Sequence, residues 1–305
     1  MTAHIVVPAL DPSGLPATLS QPILTGVLRD ELGFEGLIVT DSLDMSGANV
    51  LPPDRVAIEA LKAGADVLLN PPDVEVAYRA VLAAFQTGEL TDRRLDDSVR
   101  RILRLKRRRS LDVRLPAERA ALERLGAPQH LAVAARIADR SITLLKNDGA
   151  VLPLRSGTRV LVIGTPAANP VALGTELADR GRPAEVLVTS PEPTSTEVEA
   201  AVARAADAEA IVVATSNATA SAAQQRLVGR IRTAGRPVAV AAMRNPYDYA
   251  AFPDVAAYLA AYGARAVNVR ALARVLVGEV NPTGRLPVTI PGHFPFGAGV
   301  SFPNP

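Results

Sequence analysis

The sequence predicts an α/β protein with two domains. Its 305 residues are enough for two hydrophobic cores, and short apolar runs alternate with amphipathic segments in two separate series. Alternation of this kind is typical of parallel sheets covered by helices. We place the first domain at 1–106 and the second at 140–305. Residues 107–139, rich in Arg, Leu and Ala, form the linker between them.

The first series contains three predicted strands and four predicted helices. The strands are HIVVP, GLIVT and ADVLL, and the helices cover about 22–32, 55–63, 74–86 and 95–106. GLIVT is apolar on both faces, which favours a buried parallel strand. Asp41 follows that strand directly. In parallel sheets catalytic and binding residues usually lie at the carboxyl ends of the strands, so Asp41 is the first candidate for a functional carboxylate.

The second series predicts a doubly wound α/β layer structure. It begins with SITLLKNDGAVLPL, a strand closed by an Asp-Gly turn. The strands that follow are RVLVIG, AEVLVT, AIVVATS, PVAVAAM and VAAYLAAYG, and the helices cover about 197–206, 221–233 and 267–277. The glycines of VIGTPAANPVALG do not follow the dinucleotide-binding pattern, so the sequence predicts no nucleotide cofactor.

Composition excludes several classes of function. The chain has no cysteine, which excludes disulfides, thiolate metal sites and a thiol nucleophile. The net charge is only +2, and the one basic cluster, 106–109, is interpreted as a solvated helix end, so nucleic acid is not an expected partner. No apolar run approaches the roughly 20 residues of a membrane span. Met1 is not followed by a signal-peptide pattern, and the compartment stays open.

Several motifs in both series are shared with one known family. They are MTAHIVVPALD, PATLS, LRDELGFEGLIVTDSLDM, AGADVLL, RRILRLK, SITLLKNDGAVLPL, RNPYDYAAFPDVAAYLAAYG and GEVNPTGRLPVTIP. In this order they resemble glycoside hydrolase family 3, in its bacterial β-N-acetylglucosaminidase branch. The resemblance implies the carboxyl-terminal strands of a partial (β/α)8 barrel of the TIM type, followed by an α/β sandwich domain.

The resemblance implies that Asp41 is the catalytic nucleophile. A retaining glycosidase needs an ionised carboxylate that attacks the anomeric carbon and forms a glycosyl-enzyme. From the residues alone, the competing interpretation is that Asp41 caps its own turn and accepts the amide of Leu43 or Asp44. No metal and no organic cofactor are expected for this chemistry.

Two further residues are candidates for sugar binding by the same resemblance. His4 lies in the MTAH motif, which resembles the family strand beside the nucleophile, and Met45 matches a loop position that can line an acetamido pocket. Packing roles are the alternative for both. Asp44 is expected to orient backbone amides of its loop, while His130 and His293 match no motif with assigned chemistry.

The sequence departs from the family in one respect. The branch carries its general acid/base on a Lys-His-Phe-Pro-Gly-His-Gly loop followed by an Asp, and this motif is absent from the 305 residues. Three explanations stay open: the chain is a fragment that begins inside the sixth barrel strand, it pairs with an amino-terminal barrel half from the same or another chain, or it is a degenerate binding domain. Three strands of an opened barrel would leave exposed edges.

The expected function is therefore retaining hydrolysis that releases terminal β-linked N-acetylglucosamine from peptidoglycan-derived or chitin-like sugars. One alternative is a β-glucosidase of the same family. The other is a catalytically inactive module that binds a carbohydrate or a partner. Because general acid help contributes typically 10²–10⁴-fold, the isolated chain is expected to be a poor glycosidase.

Overall fold

The computed structural model, which describes residues 1–111 and 122–303, divides the chain into two compact units, Met1–Ala117 and Glu118–Pro305. The division falls inside the segment expected to be the linker, and residues 112–121 of that segment lie outside the described residues.

Unit 1 contains the four helices that the sequence predicts, with ends shifted by a few residues. They are a π-helix Pro22–Glu31, α1 Pro53–Ala63, α2 Val74–Gln86 and α3 Asp92–Arg108. Local capping defines two of the starts, because the side chains of Asp73 and Thr91 accept the amides of Val76 and Arg94. Gly64, with φ 123°, ends α1 in a conformation that disfavours any residue with a Cβ.

The three predicted strands of unit 1 are reduced to short extended segments, so this part of the prediction is wrong. Within residues 1–111 one isolated parallel bridge joins Val39 to Val67. The Thr2 amide donates to the Val39 carbonyl over 2.9 Å. The regular ladder of backbone hydrogen bonds is interrupted at Ile38, because its amide donates to the side chain of Asp66, at 2.9 Å, instead of to a backbone carbonyl of the neighbouring segment.

The core of unit 1 lies where these extended segments meet the helices. Its buried members come from the π-helix, from residues 37–40, which we call the central segment, from α1 and from the loops between them: Leu19, Leu24, Ile38, Leu43, Ala48, Val56, Ala60, Ala63 and Ala65. A smaller cluster under α2 holds Ile58, Ala84 and Leu90. The central segment is therefore fixed by the packing of Ile38 in this core, which positions the residue that follows the segment.

Unit 2 is a six-stranded sheet, and all six predicted strands are present. They are β1 Thr143–Asn147, β2 Val160–Gly164, β3 Ala184–Val188, β4 Ala210–Thr215, β5 Val238–Ala242 and β6 Ala257–Ala260. The order is β1-β6-β5-β4-β2-β3; β1 is antiparallel to β6 and every other pair is parallel. Consecutive crossovers run in opposite directions from β2, which is the doubly wound arrangement that the sequence predicts.

Helices cover both faces of this sheet. They are α4 Pro128–Ser141, α5 Pro170–Ala178, α6 Ser195–Ala205, α7 Ala222–Arg232 and α8 Ala266–Leu276. Alternate residues of β2 divide between two cores: Val160 and Val162 pack on one face, and Leu161 and Ile163 on the other. The helix α4 lies in the expected linker, and its Ala138 belongs to the first of these cores.

Sequence analysis missed α5. This helix begins at Pro170, directly after Asn169 in a left-handed conformation, and contains Gly174. A Cβ at Gly174 would lie 2.3 Å from Cγ2 of Val186 on β3. The glycine that makes the segment look like a loop is thus required for close packing of the helix on the sheet.

Candidate active site

Asp41 lies directly after the central segment 37–40, and its side chain is half-buried. Its Oδ1 accepts the amide of Ser42 over 2.7 Å. The amides of Leu43 and Asp44 donate instead to the carbonyls of Leu69, at 2.9 Å, and Asn70, at 3.2 Å. The turn cap considered from the sequence is therefore not formed: Oδ1 of Asp41 accepts the Ser42 amide, and within the described residues Oδ2 accepts no hydrogen bond.

The loop that follows Asp41 is tied to the neighbouring segment 66–70. Thr40 is fully buried, and its hydroxyl accepts the amide of Leu69 over 2.9 Å. The side-chain amide of Asn70 donates to Oγ of Ser42 over 2.9 Å. Asn70 has φ 47°, a left-handed conformation that asparagine tolerates better than most residues. These bonds fix the backbone on either side of Asp41.

His4 supports the same loop from the other side. Its Nε2 lies 2.9 Å from the carbonyl oxygen of Ser42, and its Nδ1 lies 2.9 Å from Oγ1 of Thr18. A carbonyl only accepts, so Nε2 carries a hydrogen and donates it. A Cβ at Gly47 would lie 2.9 Å from Cβ of His4, so the loop approaches the histidine as closely as a glycine permits. Both ring nitrogens therefore have protein partners, as the packing interpretation of His4 requires.

Met45 lies on the turn after Asp41 and is 49% exposed. This exposure does not fit the alternative that it packs in the core. Asp44 is exposed on the same turn. His130 is exposed on α4, and the ring of His293 lies edge-on to Tyr249 with 5.3 Å between ring centroids. Both of these histidines belong to unit 2.

The most extensive polar cluster of unit 1 surrounds Asp66, which sequence analysis did not single out. Its carboxylate is fully buried and accepts Nη2 of Arg29 at 2.7 Å, Nη1 of Arg101 at 2.9 Å and Oγ of Ser98 at 2.7 Å. Arg94 lies at 3.5 Å. Burial alone would raise the pKa of Asp66, but the Ile38 amide, Ser98 and Arg101 together hold the pKa below its usual value.

The signal that could have revealed Asp66 is its position inside an otherwise apolar run, ADVLL. A buried charge needs partners, and α3 supplies two arginines. Asp66 lies at the amino end of its segment, whereas Asp41 follows the carboxyl end of the adjacent one. In parallel barrels this amino end usually serves stability, and the carboxyl end serves catalysis.

Between 1–111 and 122–303, no three His, Cys, Asp or Glu side chains cluster in a way that could hold a metal ion. In the same ranges no helix has both the length and the apolar character needed to cross a membrane.

Comparison with known families matches both halves of the chain. Residues 1–105 match the glycosyl hydrolase family 3 N terminal domain, and residues 142–295 match the glycosyl hydrolase family 3 C-terminal domain. The two matched ranges correspond to the two series of elements described above.

Relatives and solved structures agree with these matches. Beta-hexosaminidase A of Pseudoalteromonas piscicida is 40% identical over 185 residues, covering 53% of this chain and 30% of the relative. A beta-N-acetylglucosaminidase/beta-glucosidase of Cellulomonas fimi is 30% identical, covering 94% of this chain and 57% of the relative. The chain thus spans from about a third to just over half of these relatives.

A solved family 3 beta-N-acetylglucosaminidase from Paenibacillus sp. str. FPU-7 is 33% identical, with a TM-score of 0.84, over 95% of this chain and 58% of that one. A structure of the beta-glucoside phosphorylase BglX is 26% identical, with a TM-score of 0.72, over 95% of this chain and 57% of that one. The mixed α/β architecture is shared with both. The chain is a member of glycosyl hydrolase family 3.

Proposed function

We propose that this protein acts in retaining hydrolysis that releases terminal β-linked N-acetylglucosamine from peptidoglycan-derived or chitin-like sugars, with Asp41 as the nucleophile. One observation carries the proposal. Asp41 is half-buried and follows the carboxyl end of a segment with a parallel neighbour, and the amides of Leu43 and Asp44 bond to backbone carbonyls rather than to its carboxylate. In this proposal residues 1–106 are the carboxyl-terminal section of a (β/α)8 barrel.

The reaction has two steps at Asp41. A carboxylate oxygen attacks the anomeric carbon, the bond to the leaving oxygen breaks, and a general acid gives that oxygen a proton. The deprotonated general acid then takes a proton from a water whose oxygen attacks the anomeric carbon, the bond to Asp41 breaks, and the sugar leaves with the carboxylate and the acid restored. The Ser42 amide, which donates to Oδ1, orients the carboxylate for the first step.

The proton donor is not assigned to His4. Its two ring nitrogens already bond to Thr18 and Ser42, so neither is free to face a departing oxygen. This chain matches 58% of the Paenibacillus structure. We assign the proton donor to the barrel portion of the relatives that lies outside this match. That portion would act from the same chain or from a second one.

The choice of sugar rests on two features. The relatives at 40% and 33% identity carry the names beta-hexosaminidase and beta-N-acetylglucosaminidase. The exposed thioether of Met45, four residues after Asp41, offers an apolar contact for an acetamido methyl group. His4 contributes to the sugar subsite by fixing the carbonyl of Ser42 rather than through a free nitrogen.

The decisive experiment is covalent trapping. The 305-residue protein, alone and mixed with a separately expressed amino-terminal barrel half of the Paenibacillus relative, is incubated with a fluorinated N-acetylglucosaminyl reagent that accumulates the glycosyl-enzyme. Peptide mass spectrometry should place the label on Asp41. Asp41→Asn should abolish labelling, and the matched control Asp44→Asn should keep it. A label on Asp44, or none in the mixture, contradicts the assignment.

Two other functions are distinguished by the same protein samples. The Cellulomonas relative is named for both activities, and BglX is named a beta-glucoside phosphorylase. Aryl β-glucoside and aryl β-N-acetylglucosaminide are therefore compared with and without phosphate, and release of a sugar 1-phosphate identifies phosphorolysis. Saturable sugar binding with neither turnover nor labelling identifies a non-catalytic binding module.

A further inference from the structure

A cavity of about 270 Å³ lies at the amino end of the central segment of unit 1. We define this arginine cavity by its lining residues: Glu35, Gly36, Leu37, Arg101, Arg104, Leu105 and Arg108. Leu37 is four residues before Asp41, and at about 3.3 Å per residue the two ends of the segment are about 13 Å apart. The cavity is therefore separate from the candidate active site.

Three arginines of α3 line one side of this cavity. Arg101, Arg104 and Arg108 are spaced by three and four residues, which places them along one face of the helix. Arg101 already bonds to Asp66. Within residues 1–111 neither Arg104 nor Arg108 forms an ion pair with a carboxylate. Their guanidinium groups are exposed and have donors available for an anion.

The wall behind the cavity adds more positive charge. Arg29 donates to the carbonyl of Gly36, which lines the cavity, and shares Asp66 with Arg101. Burial lowers the pKa of Arg29, and repulsion from Arg101 lowers it further. Of the three arginines that line the cavity, Arg101 is the one that is ion-paired within the described residues, and Glu35 is the one carboxylate among the lining residues. The local charge is thus not balanced by the protein itself.

A basic run at a helix end can also be explained without a ligand. Cations near the carboxyl end of a helix are favoured by its dipole and are often solvated. That explanation applies to Lys106, Arg107 and Arg109, which do not line the cavity. It does not account for a concave site in which three arginines of α3 face the 35–37 segment.

We propose that the arginine cavity binds a pyrophosphate group, of inorganic pyrophosphate or of a nucleoside diphosphate. Arginine recognises phosphate through two parallel hydrogen bonds. Arg104 and Arg108 are four residues apart, so their Cβ atoms are separated by about 5–6 Å, and each guanidinium can hold one phosphate of a linked pair. Bound ligand would join α3 to the 35–37 segment and would stabilise unit 1, because the unfolded chain lacks the site.

The test is calorimetric titration of the whole 305-residue protein with inorganic pyrophosphate at constant ionic strength. We expect saturable binding with one site per chain. Arg104→Gln/Arg108→Gln should weaken it at least tenfold, which corresponds to about 1.4 kcal/mol. The matched control, Lys106→Gln/Arg109→Gln, removes the same charge from the end of α3 at residues that do not line the cavity, and should bind as the unaltered protein does. Circular dichroism establishes that both variants are folded.

A substitution that removes a negative charge from the cavity should have the opposite effect on binding and gives a second test. Glu35→Gln removes the carboxylate that lines the cavity, so it should tighten pyrophosphate binding. Uridine diphosphate in place of pyrophosphate distinguishes the two sources, because a tighter complex with the nucleotide identifies a nucleoside diphosphate site. Absence of saturation, or equal weakening by the two double variants, overturns the proposal in favour of nonspecific charge attraction.

Discussion

The Nε2 atom of His4 lies 2.9 Å from the carbonyl oxygen of Ser42, the residue that follows Asp41. The amino-terminal segment thereby holds the backbone of the loop that carries the proposed nucleophile. Because Nδ1 is bonded to Thr18 at the same time, the imidazole joins two parts of unit 1 that are distant in sequence.

His4→Ala should destabilise this loop, since it removes two half-buried hydrogen bonds that contribute about 1 kcal/mol each. Hydrogen exchange of peptides covering 40–47 measures the effect, and exchange there should be faster than in the unaltered protein. Met45→Ala is the control, because an exposed side chain on the same turn should change stability by less than about 0.5 kcal/mol. Equal protection of the loop in His4→Ala would mean that the imidazole bonds do not hold it.

Asp66→Asn should be the most damaging polar substitution in unit 1. It leaves Arg29 and Arg101 partly buried without a counter-charge, and breaking a buried pair costs about 3–5 kcal/mol. Opening of α3 is measured by hydrogen exchange. Asp97→Asn is the matched control: it removes an exposed pair with Arg100 on the same helix and should cost less than about 1 kcal/mol. Similar effects of the two substitutions would contradict the role given to Asp66.

Glu197 should make unit 2 sensitive to acid. The backbone amides of Thr194 and Ser190, followed by the Ser190 hydroxyl, lower its pKa to about 2. A depressed pKa adds stability above the unfolded value of about 4.3, and that stability is lost as pH falls towards 2. Glu197→Gln should flatten this part of the pH profile of thermal unfolding. Glu199→Gln, two residues along α6 and paired with Arg230, should keep the slope.

Two helix glycines of unit 2 should respond oppositely to alanine. A Cβ at Gly174 would lie 2.3 Å from the Val186 side chain, so Gly174→Ala should cost about 1–3 kcal/mol through overpacking. A Cβ at Gly229 meets nothing within 4 Å, so Gly229→Ala in α7 should gain up to about 1 kcal/mol of helix propensity. Thermal unfolding followed by circular dichroism measures both. A lower melting temperature for Gly229→Ala would contradict the open space around it.

The strands of unit 2 could be predicted because each is a short apolar run bounded by turn residues, and β2 is buried at all five of its positions. Unit 1 also contains short apolar runs, but the strands predicted from them form less regular backbone pairing than those of unit 2. The apolar pattern of GLIVT reports burial, and burial alone does not establish a continuous hydrogen-bond ladder. The Asp66 side chain takes the Ile38 amide at the point where such a ladder would begin.

The position of Asp41 could be predicted from local sequence, because it depends only on where an apolar run stops. Its supports could not be. His4 and Ser42 are 38 residues apart, and Asp66 meets Arg29 and Arg101 across 37 and 35 residues. No local periodicity encodes such pairs, since they depend on how the segments come together in three dimensions. The arginine cavity could not be predicted for the same reason, and the sequence showed only the basic cluster 106–109 near it.

The edge position of β1 has a consequence for synthesis. β1 is antiparallel to β6, and on its other side the amide of Val300 donates to the carbonyl of Leu144 over 2.8 Å. Both neighbours are more than a hundred residues downstream. During translation the apolar residues of β1 therefore stay unpaired on both sides until nearly all of unit 2 has left the ribosome. Nascent chains halted before residue 257 should be the ones that depend most on chaperones.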